Sequence, residues 1–229
     1  MRYAIYFAPP PDSLLHALGS RWLGRDAWTG QAVDQPNVLG IGRMTMEPCR
    51  YGFHGTLKAP FPLRDDKTPE ELAQAVASLG SSEACFNIRL KVGVIGGFLA
   101  LVPSGPSPAL SGLAARCVRE LDGFRLPPTE EELNRRRAAR LTPTQDQHLT
   151  RWGYPYVLDE FRFHMTLTER LDPPEESRLA VAADAHFAPA LAEPIAIAGL
   201  TLFVEAAPGA PFLAANYAPL SASAAGAAA

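Results

Sequence analysis

The sequence predicts an α+β fold built by duplication: two similar lobes, related by a pseudo-two-fold axis, with a central cleft between them. Three observations lead there. The frame Phe-His-x-Thr-Leu occurs twice, as Phe53-His54-Gly55-Thr56-Leu57 and as Phe163-His164-Met165-Thr166-Leu167, 110 positions apart. Each copy leads to a helix opened by Pro and Glu, then to an Ile- or Leu-rich strand. Across Gly there follows a strand that begins Phe-Leu-Ala (Phe98-Leu99-Ala100 and Phe212-Leu213-Ala214). The length, 229 residues, suffices for one sizeable core or for two small lobes about one cleft.

The elements follow in order. Arg2 to Ala8 alternates, with Tyr3, Ile5 and Phe7 on one side, and Pro9-Pro10-Pro11 ends that strand. Asp12 or Ser13 can cap a helix to about Leu23, with Leu14, Leu15, Leu18, Trp22 and Leu23 at helical spacing. Residues 24–42 contain Gly, Asn and Pro and read as a loop before the first motif strand. Thr68-Pro69-Glu70-Glu71 starts a helix to about Leu79. Ala84 to Val92 and Val94 to Val102 read as a hairpin, with a turn or bulge at Gly96-Gly97. Leu110 to Leu121 is an amphipathic helix. Thr129-Glu130-Glu131-Glu132 opens another, which carries Arg135, Arg136, Arg137 and Arg140. A charge run of this kind is ordinarily a solvated face, but it can also offer a guanidinium to an anion. Thr142-Pro143-Thr144 starts a helix to about Trp152, and Gly153-Tyr154-Pro155-Tyr156 turns into the second motif strand. Pro173 starts a helix to about Ala185. Ile195 to Val204 and Phe212 to Ala218 are the last strands.

Each motif copy is a short apolar run, rich in aromatic and β-branched residues, and reads as a strand. Strand side chains alternate faces. His54 and Thr56 therefore share one face, as do His164 and Thr166, while Phe53, Gly55, Leu57 and Phe163, Met165, Leu167 point to the core. The same rule extends the first row to Lys58 and starts the second at Arg162. A single His two residues from a Thr is an ordinary strand feature. Two of the chain's five His in one repeated frame mark a site.

Composition narrows the function. A net charge of −3 sets no strong pull toward nucleic acid or membrane surfaces, although a basic cleft can hide in an acidic protein. Cys49, Cys85 and Cys117 have no CxxC spacing and read as free thiols in a reducing compartment. No apolar run approaches the ~20 residues of a spanning helix. The amino-terminal stretch lacks the apolar core of a signal peptide. The expectation is a cytoplasmic protein.

On its two His-x-Thr-x motifs and its size, the chain resembles the two-histidine (2H) phosphoesterase superfamily. The strings Tyr51-Gly-Phe-His-Gly-Thr-Leu-Lys-Ala-Pro-Phe61 and Arg151-Trp-Gly-Tyr-Pro-Tyr156, with Phe161-Arg-Phe-His-Met-Thr-Leu167, resemble one branch of it. That branch occurs with bacterial phosphonate-degradation genes and is known only as a phosphonate-metabolism protein. The resemblance spans nearly the whole chain. It implies a bilobal antiparallel-sheet fold and a single catalytic domain over residues 1–220. The lobes would fall roughly at 1–125 and 126–220, with strands free to swap between them, before a disordered tail at 221–229. It further implies that His54 and His164 are catalytic and that Thr56 and Thr166 bind phosphate. Tyr51, Lys58, Arg162, Tyr154 and Tyr156 are candidates for substrate contact, Arg162 first among them.

The implied reaction is the opening of a cyclic phosphodiester on a small phosphorylated sugar or nucleotide. It needs a base for the nucleophile and an acid for the leaving oxygen, on opposite sides of phosphorus. Imidazole suits both roles near neutral pH, and Thr hydroxyls can donate to the non-bridging oxygens. No metal and no cofactor is required. Two His could ligate zinc, but a catalytic zinc site wants a third protein ligand, and no HExxH or His-x-His occurs. His148 and His186 sit in helix patterns that look solvent-facing. RNA end processing is a rival reading, against which the acidic balance and the lack of a basic–aromatic signature argue. A non-catalytic nucleotide-binding module is another, against which the intact His and Thr pairs argue. The oligomeric state is left open.

Overall fold

The computed structural model describes residues 1–222. In chain order its strands and helices are β1 (Arg2–Phe7), α1 (Leu14–Leu23), α2 (Ile41–Met44), α3 (Met46–Tyr51), β2 (Gly55–Phe61) and α4 (Pro69–Ser81). Then come β3 (Phe86–Ile88), β4 (Leu90–Ile95), β5 (Phe98–Pro103), α5 (Pro108–Glu120), α6 (Glu130–Arg137) and α7 (Pro143–Trp152). β6 (Met165–Arg170), α8 (Pro173–Leu191), β7 (Ile195–Ile197), β8 (Gly199–Glu205) and β9 (Phe212–Pro219) complete the set. Local chemistry sets several of these boundaries. Thr68, Thr129 and Thr142 each cap a helix, and Glu71, Glu132 and Gln145 answer back to the cap N–H, forming three capping boxes. Ser13 caps α1, and Gly24, at φ 86°, ends it.

The fold is α+β, and every pairing between its named strands is antiparallel. Seven strands form one sheet in the order β4-β5-β6-β2-β1-β8-β9, and β3 pairs with β7 in a separate two-stranded sheet. The duplication is written into two of these pairings. β2 meets β6 at Gly55 opposite Met165, which are the same position of the two motif copies. β3 meets β7 with Asn87 opposite Ala196, flanked symmetrically by Phe86–Ile197 and Ile88–Ile195. Each joins equivalent strands head to tail, so one pseudo-two-fold axis passes through both. Farther out the symmetry breaks, because β5 lies next to β6 whereas β1 takes the place next to β2. The two halves of the large sheet therefore interleave in sequence, with β8 and β9 beside β1, and β4 and β5 beside β6.

The alternation of β1 sorts the two faces. Tyr3, Ile5 and Phe7 enter the main core with Trp22 of α1, Leu72 and Val76 of α4, Leu110 and Leu113 of α5, and Leu179 and Phe187 of α8. Four helices thus cover one face. Ala4 and Tyr6 point the other way and pack with Phe203 and Phe212 in a smaller cluster. Trp22 Nε1 donates to the Leu167 carbonyl at 2.9 Å, fixing α1 to the second motif strand in the core.

Several boundaries differ from the sequence reading. The strand expected over Ala84 to Val92 breaks at Arg89 into β3 and β4, and that expected over Ile195 to Val204 breaks at Ala198 into β7 and β8. The breaks are again equivalent, and each lets a short segment leave the large sheet for the small one. α2 and α3 replace irregular chain before the first motif; they are too short for periodicity to reveal. α8 runs to Leu191 rather than Ala185 and contains Pro189. Ser221, assigned to a disordered tail, is hydrogen-bonded: its N–H donates to Glu83 and its carbonyl accepts from Cys85. The rest of that tail, from residue 223, lies outside the described residues. No helix among the described residues is long and apolar enough to cross a membrane.

Gly55 is the tightest point of the central pairing. A Cβ there would lie 2.4 Å from the Phe163 ring. Gly55→Ala is expected to destabilise by about 1–3 kcal/mol through overpacking. Gly105→Ala, where nothing lies within 4 Å, should stay within about 0.5 kcal/mol of wild type. Guanidinium unfolding midpoints check both, and equal midpoints for the two variants would contradict this account of the interface.

Candidate active site

The two motif copies share one local design. His54 and His164 stand just ahead of β2 and β6, not within them as alternation predicts. In each copy the ring reaches back to the carbonyl two residues before it in its own chain. His54 Nδ1 donates to the Gly52 carbonyl at 2.9 Å, and His164 Nδ1 donates to the Arg162 carbonyl at 2.8 Å. A carbonyl only accepts, so Nδ1 carries the proton and Nε2 of the neutral ring carries none; that of His54 accepts from the Thr56 hydroxyl. Gly52 sits at φ 78°, and a Cβ there would fall 2.5 Å from that of Ala27. Arg25 braces the same turn from behind. It donates to the carbonyls of Cys49, Arg50 and Phe212, each at 3.0 Å.

The imidazole surroundings are apolar and tight. His54 stacks on Tyr6 with ring centres 3.8 Å apart, and its Nε2 lies 3.2 Å from Thr56 Oγ1. Phe98 flanks His164 at 5.6 Å. Burial pushes the His54 pKa down to about 4; its bond to Gly52 opposes this and the facing His164 adds to it. Burial likewise lowers His164, against its bond to Arg162. Both rings are therefore neutral at pH 7.

Two adjoining cavities open here, of about 380 and 450 Å³. His54, Tyr51 and Thr166 line the first; His164, Arg162 and Tyr156 line the second. Thr56, Ala59, Phe98, Tyr154 and Arg170 line both and form the shared wall. The geometry thus gathers His54, Thr56, His164, Thr166, Tyr51, Arg162, Tyr154 and Tyr156 about one junction, with an imidazole on either side.

Lys58 is not among them. The register of β2 against β1 slips between Thr56, opposite Tyr6, and Lys58, opposite Ile5. That bulge inserts one residue and rotates Lys58 onto the core face. Its Nζ donates to the Val118 carbonyl at 3.1 Å and lies 3.4 Å from Asp122. Burial lowers its pKa to about 8, partly opposed by Asp122. Ala59 takes the cleft position instead. His148 and His186 are half-buried rather than solvent-facing; one meets Asp159 at 2.6 Å and the other the Leu18 carbonyl at 3.0 Å. Among the described residues, no three His, Cys, Asp or Glu side chains gather in a metal-binding group.

Arg2, Tyr6, Phe98, Thr168 and Arg170 are among the lining residues not singled out from the sequence. Three had a signal. Thr168 and Arg170 continue the row of Thr166 at period two, and Tyr6 lies on the face of β1 opposite Ile5. Arg2 is held by Glu205 and Phe98 comes from β5, so only tertiary structure brings them in.

Fold and site together define a two-halved α+β protein with a symmetric pair of neutral imidazoles, each beside a threonine, at the junction of two cavities. The chain belongs to the DUF1045 family of proteins of unknown function, whose model matches residues 56–213. It is 44% identical over 222 residues to the ribose 1,5-bisphosphate phosphokinase PhnN of Janthinobacterium sp. (strain Marseille), covering 93% of this chain and 49% of that protein. It is 37% identical over 215 residues to the protein of the same name from Laribacter hongkongensis (strain HLHK9), covering 93% of this chain and 50% of that one. The chain thus spans about half the length of these curated relatives. Among solved structures it is similar to a phosphoesterase (14% identity, TM-score 0.41, 96% of this chain and 98% of the other). It is similar also to E. coli LigT complexed with NADP+ (15% identity, TM-score 0.41, 96% and 97%). At that level the fold rests on the topology described above, not on these neighbours.

Imidazole nitrogen NMR tests the local design. His54 and His164 should both show the Nδ1–H tautomer at pH 7 and titrate below 6.5, with His54 near 4. An Nε2–H tautomer, or either ring charged at pH 7, would contradict it.

Proposed function

We propose that the chain is a metal-independent phosphoesterase of the two-histidine class, which opens a cyclic phosphodiester on a small phosphorylated sugar or nucleotide. Residues 1–220 act as one catalytic unit whose half-sheets exchange strands. The observation that carries this reading is the pair of imidazoles with unprotonated Nε2 atoms on opposite sides of one junction, with Thr56 and Thr166 lining the cavity of His54. In the reaction, water attacks phosphorus and the bond from phosphorus to one ring oxygen breaks. His54, the more depressed imidazole, takes the proton of water through Nε2. His164, whose ring takes up a proton as the anionic substrate binds beside it, gives that proton to the leaving oxygen. Thr56 and Thr166 donate to the non-bridging oxygens, where charge grows.

The relatives' names support the choice of sugar. They are named for a kinase acting on a ribose phosphate, and a cyclic phosphate on ribose opens to a ribose phosphate monoester. A ribosyl cyclic phosphate, within phosphonate catabolism, is therefore the favoured substrate. The kinase activity itself is not assigned to this stretch. The relatives are twice as long, and this sequence contains no G-x-x-x-x-G-K-[ST] phosphate loop.

Hydrolysis of 2′,3′-cyclic nucleotides and ribose cyclic phosphates should persist in EDTA. His54→Ala and His164→Ala should each lower kcat by about 10²- to 10⁴-fold. The base must be neutral and the acid protonated. So kcat/KM should rise through a pKa near 4 and fall through one below 6.5, with its maximum between them. Loss of activity in EDTA, or full activity in either variant, would overturn the assignment.

A further inference from the structure

The basic run of α6 divides by direction. Arg135 is exposed, and Arg137 is tied to Asp146 at 2.6 Å. Arg136 alone turns to the site. It is half-buried, lines the cavity of His54, and lies over Tyr154 with the guanidinium carbon 5.4 Å from the ring centre. Among the described residues it forms no ion pair. Apart from Arg170, the other charges on that wall are engaged. Arg2 is held by Glu205 at 2.5 Å, Glu47 lies 3.7 Å from Arg50, and Glu169 accepts the Glu47 N–H at 3.1 Å.

A cyclic phosphodiester carries a single negative charge. Thr56, Thr166 and the guanidinium of Arg170, which reaches both cavities, stand at the junction to meet it. Arg136 is a further cation: it lines the cavity of His54 and not that of His164. The Tyr154 ring lies against it as a cation–π partner, and a guanidinium fork can bind a phosphate monoester in bidentate fashion. We propose that the substrate carries a second, non-reacting phosphate monoester and that Arg136 is the specificity residue that binds it. This deepens the cyclic-phosphodiesterase reading and rests on it. Water adds across one phosphorus–oxygen bond, the second phosphate passes through unchanged, and the product carries two phosphate monoesters. The reaction that follows must therefore accept a bisphosphate.

The test compares kcat/KM for 2′,3′-cyclic AMP with and without a 5′-phosphate. Wild type should favour the phosphorylated compound. Arg136→Ala should lower that preference by about 10- to 100-fold, Arg136→Lys should restore part of it, and Arg137→Ala, at the neighbouring position, should keep it. A preference that survives Arg136→Ala, or that is absent in wild type, would overturn the proposal. Should neither compound turn over, the hydrolase reading fails on its own, and calorimetric binding of ribose 5-phosphate against ribose decides the clamp. Tighter binding of the phosphate that is lost in Arg136→Ala supports it, and equal binding by both proteins refutes it.

Discussion

The site depends on one strand contact, Gly55 against Met165. Only there do the two halves of the large sheet join, and the joined residues are the same position of a repeated motif. Everything symmetric about the site follows. Each His precedes its strand by one residue, each Thr follows by one, and each ring is fixed by the carbonyl two residues back. A glycine on one side lets the Phe163 ring close over the junction, where any Cβ would collide. Placing two imidazoles about a common point thus needs no long-range network, only a pairing that brings two copies of one turn together.

Much of this was legible in the sequence, and the parts that were not have physical causes. The repeat itself gave the duplication, both His–Thr pairs, and the burial alternation of Phe53 to Leu57 and Phe163 to Leu167, which is identical in the two copies. Period two failed at Lys58 because a bulge is a property of strand pairing and leaves no mark on a single strand. It would have succeeded at Thr168 and Arg170, had it been carried forward along the second copy. Helix periodicity could place Arg136 on α6, yet which of three adjacent arginines faces the cleft depends on how α6 lies against Tyr154. Short helices such as α2 and α3 hold too few residues to show a pattern.

Electrostatics explains why the cleft can be cationic in a chain of net charge −3. Carboxylates at and behind the site have partners: Glu205 in Arg2 and Arg50, Glu47 in Arg50, Glu160 in Gln145, and Glu169 in the Glu47 N–H. The imidazoles are kept neutral by burial, so the unliganded cleft draws its positive charge from Arg136, Arg162 and Arg170. An incoming phosphate raises the affinity of a neighbouring imidazole for a proton, because an opposite charge nearby favours the charged form. In the proposed reaction, substrate binding itself would therefore help to protonate the acid partner.

The central claim is that His54 and His164 act as one unit on one phosphorus. Its most direct test is a double-mutant comparison, with ring opening of a cyclic phosphodiester measured for His54→Ala, His164→Ala and the pair together. The account predicts that the double variant loses about as much as either single one, since removing one member of a concerted pair leaves the other without a task. Losses that simply multiply would mean two independent contributions, and would contradict a shared acid–base mechanism across the Gly55–Met165 junction.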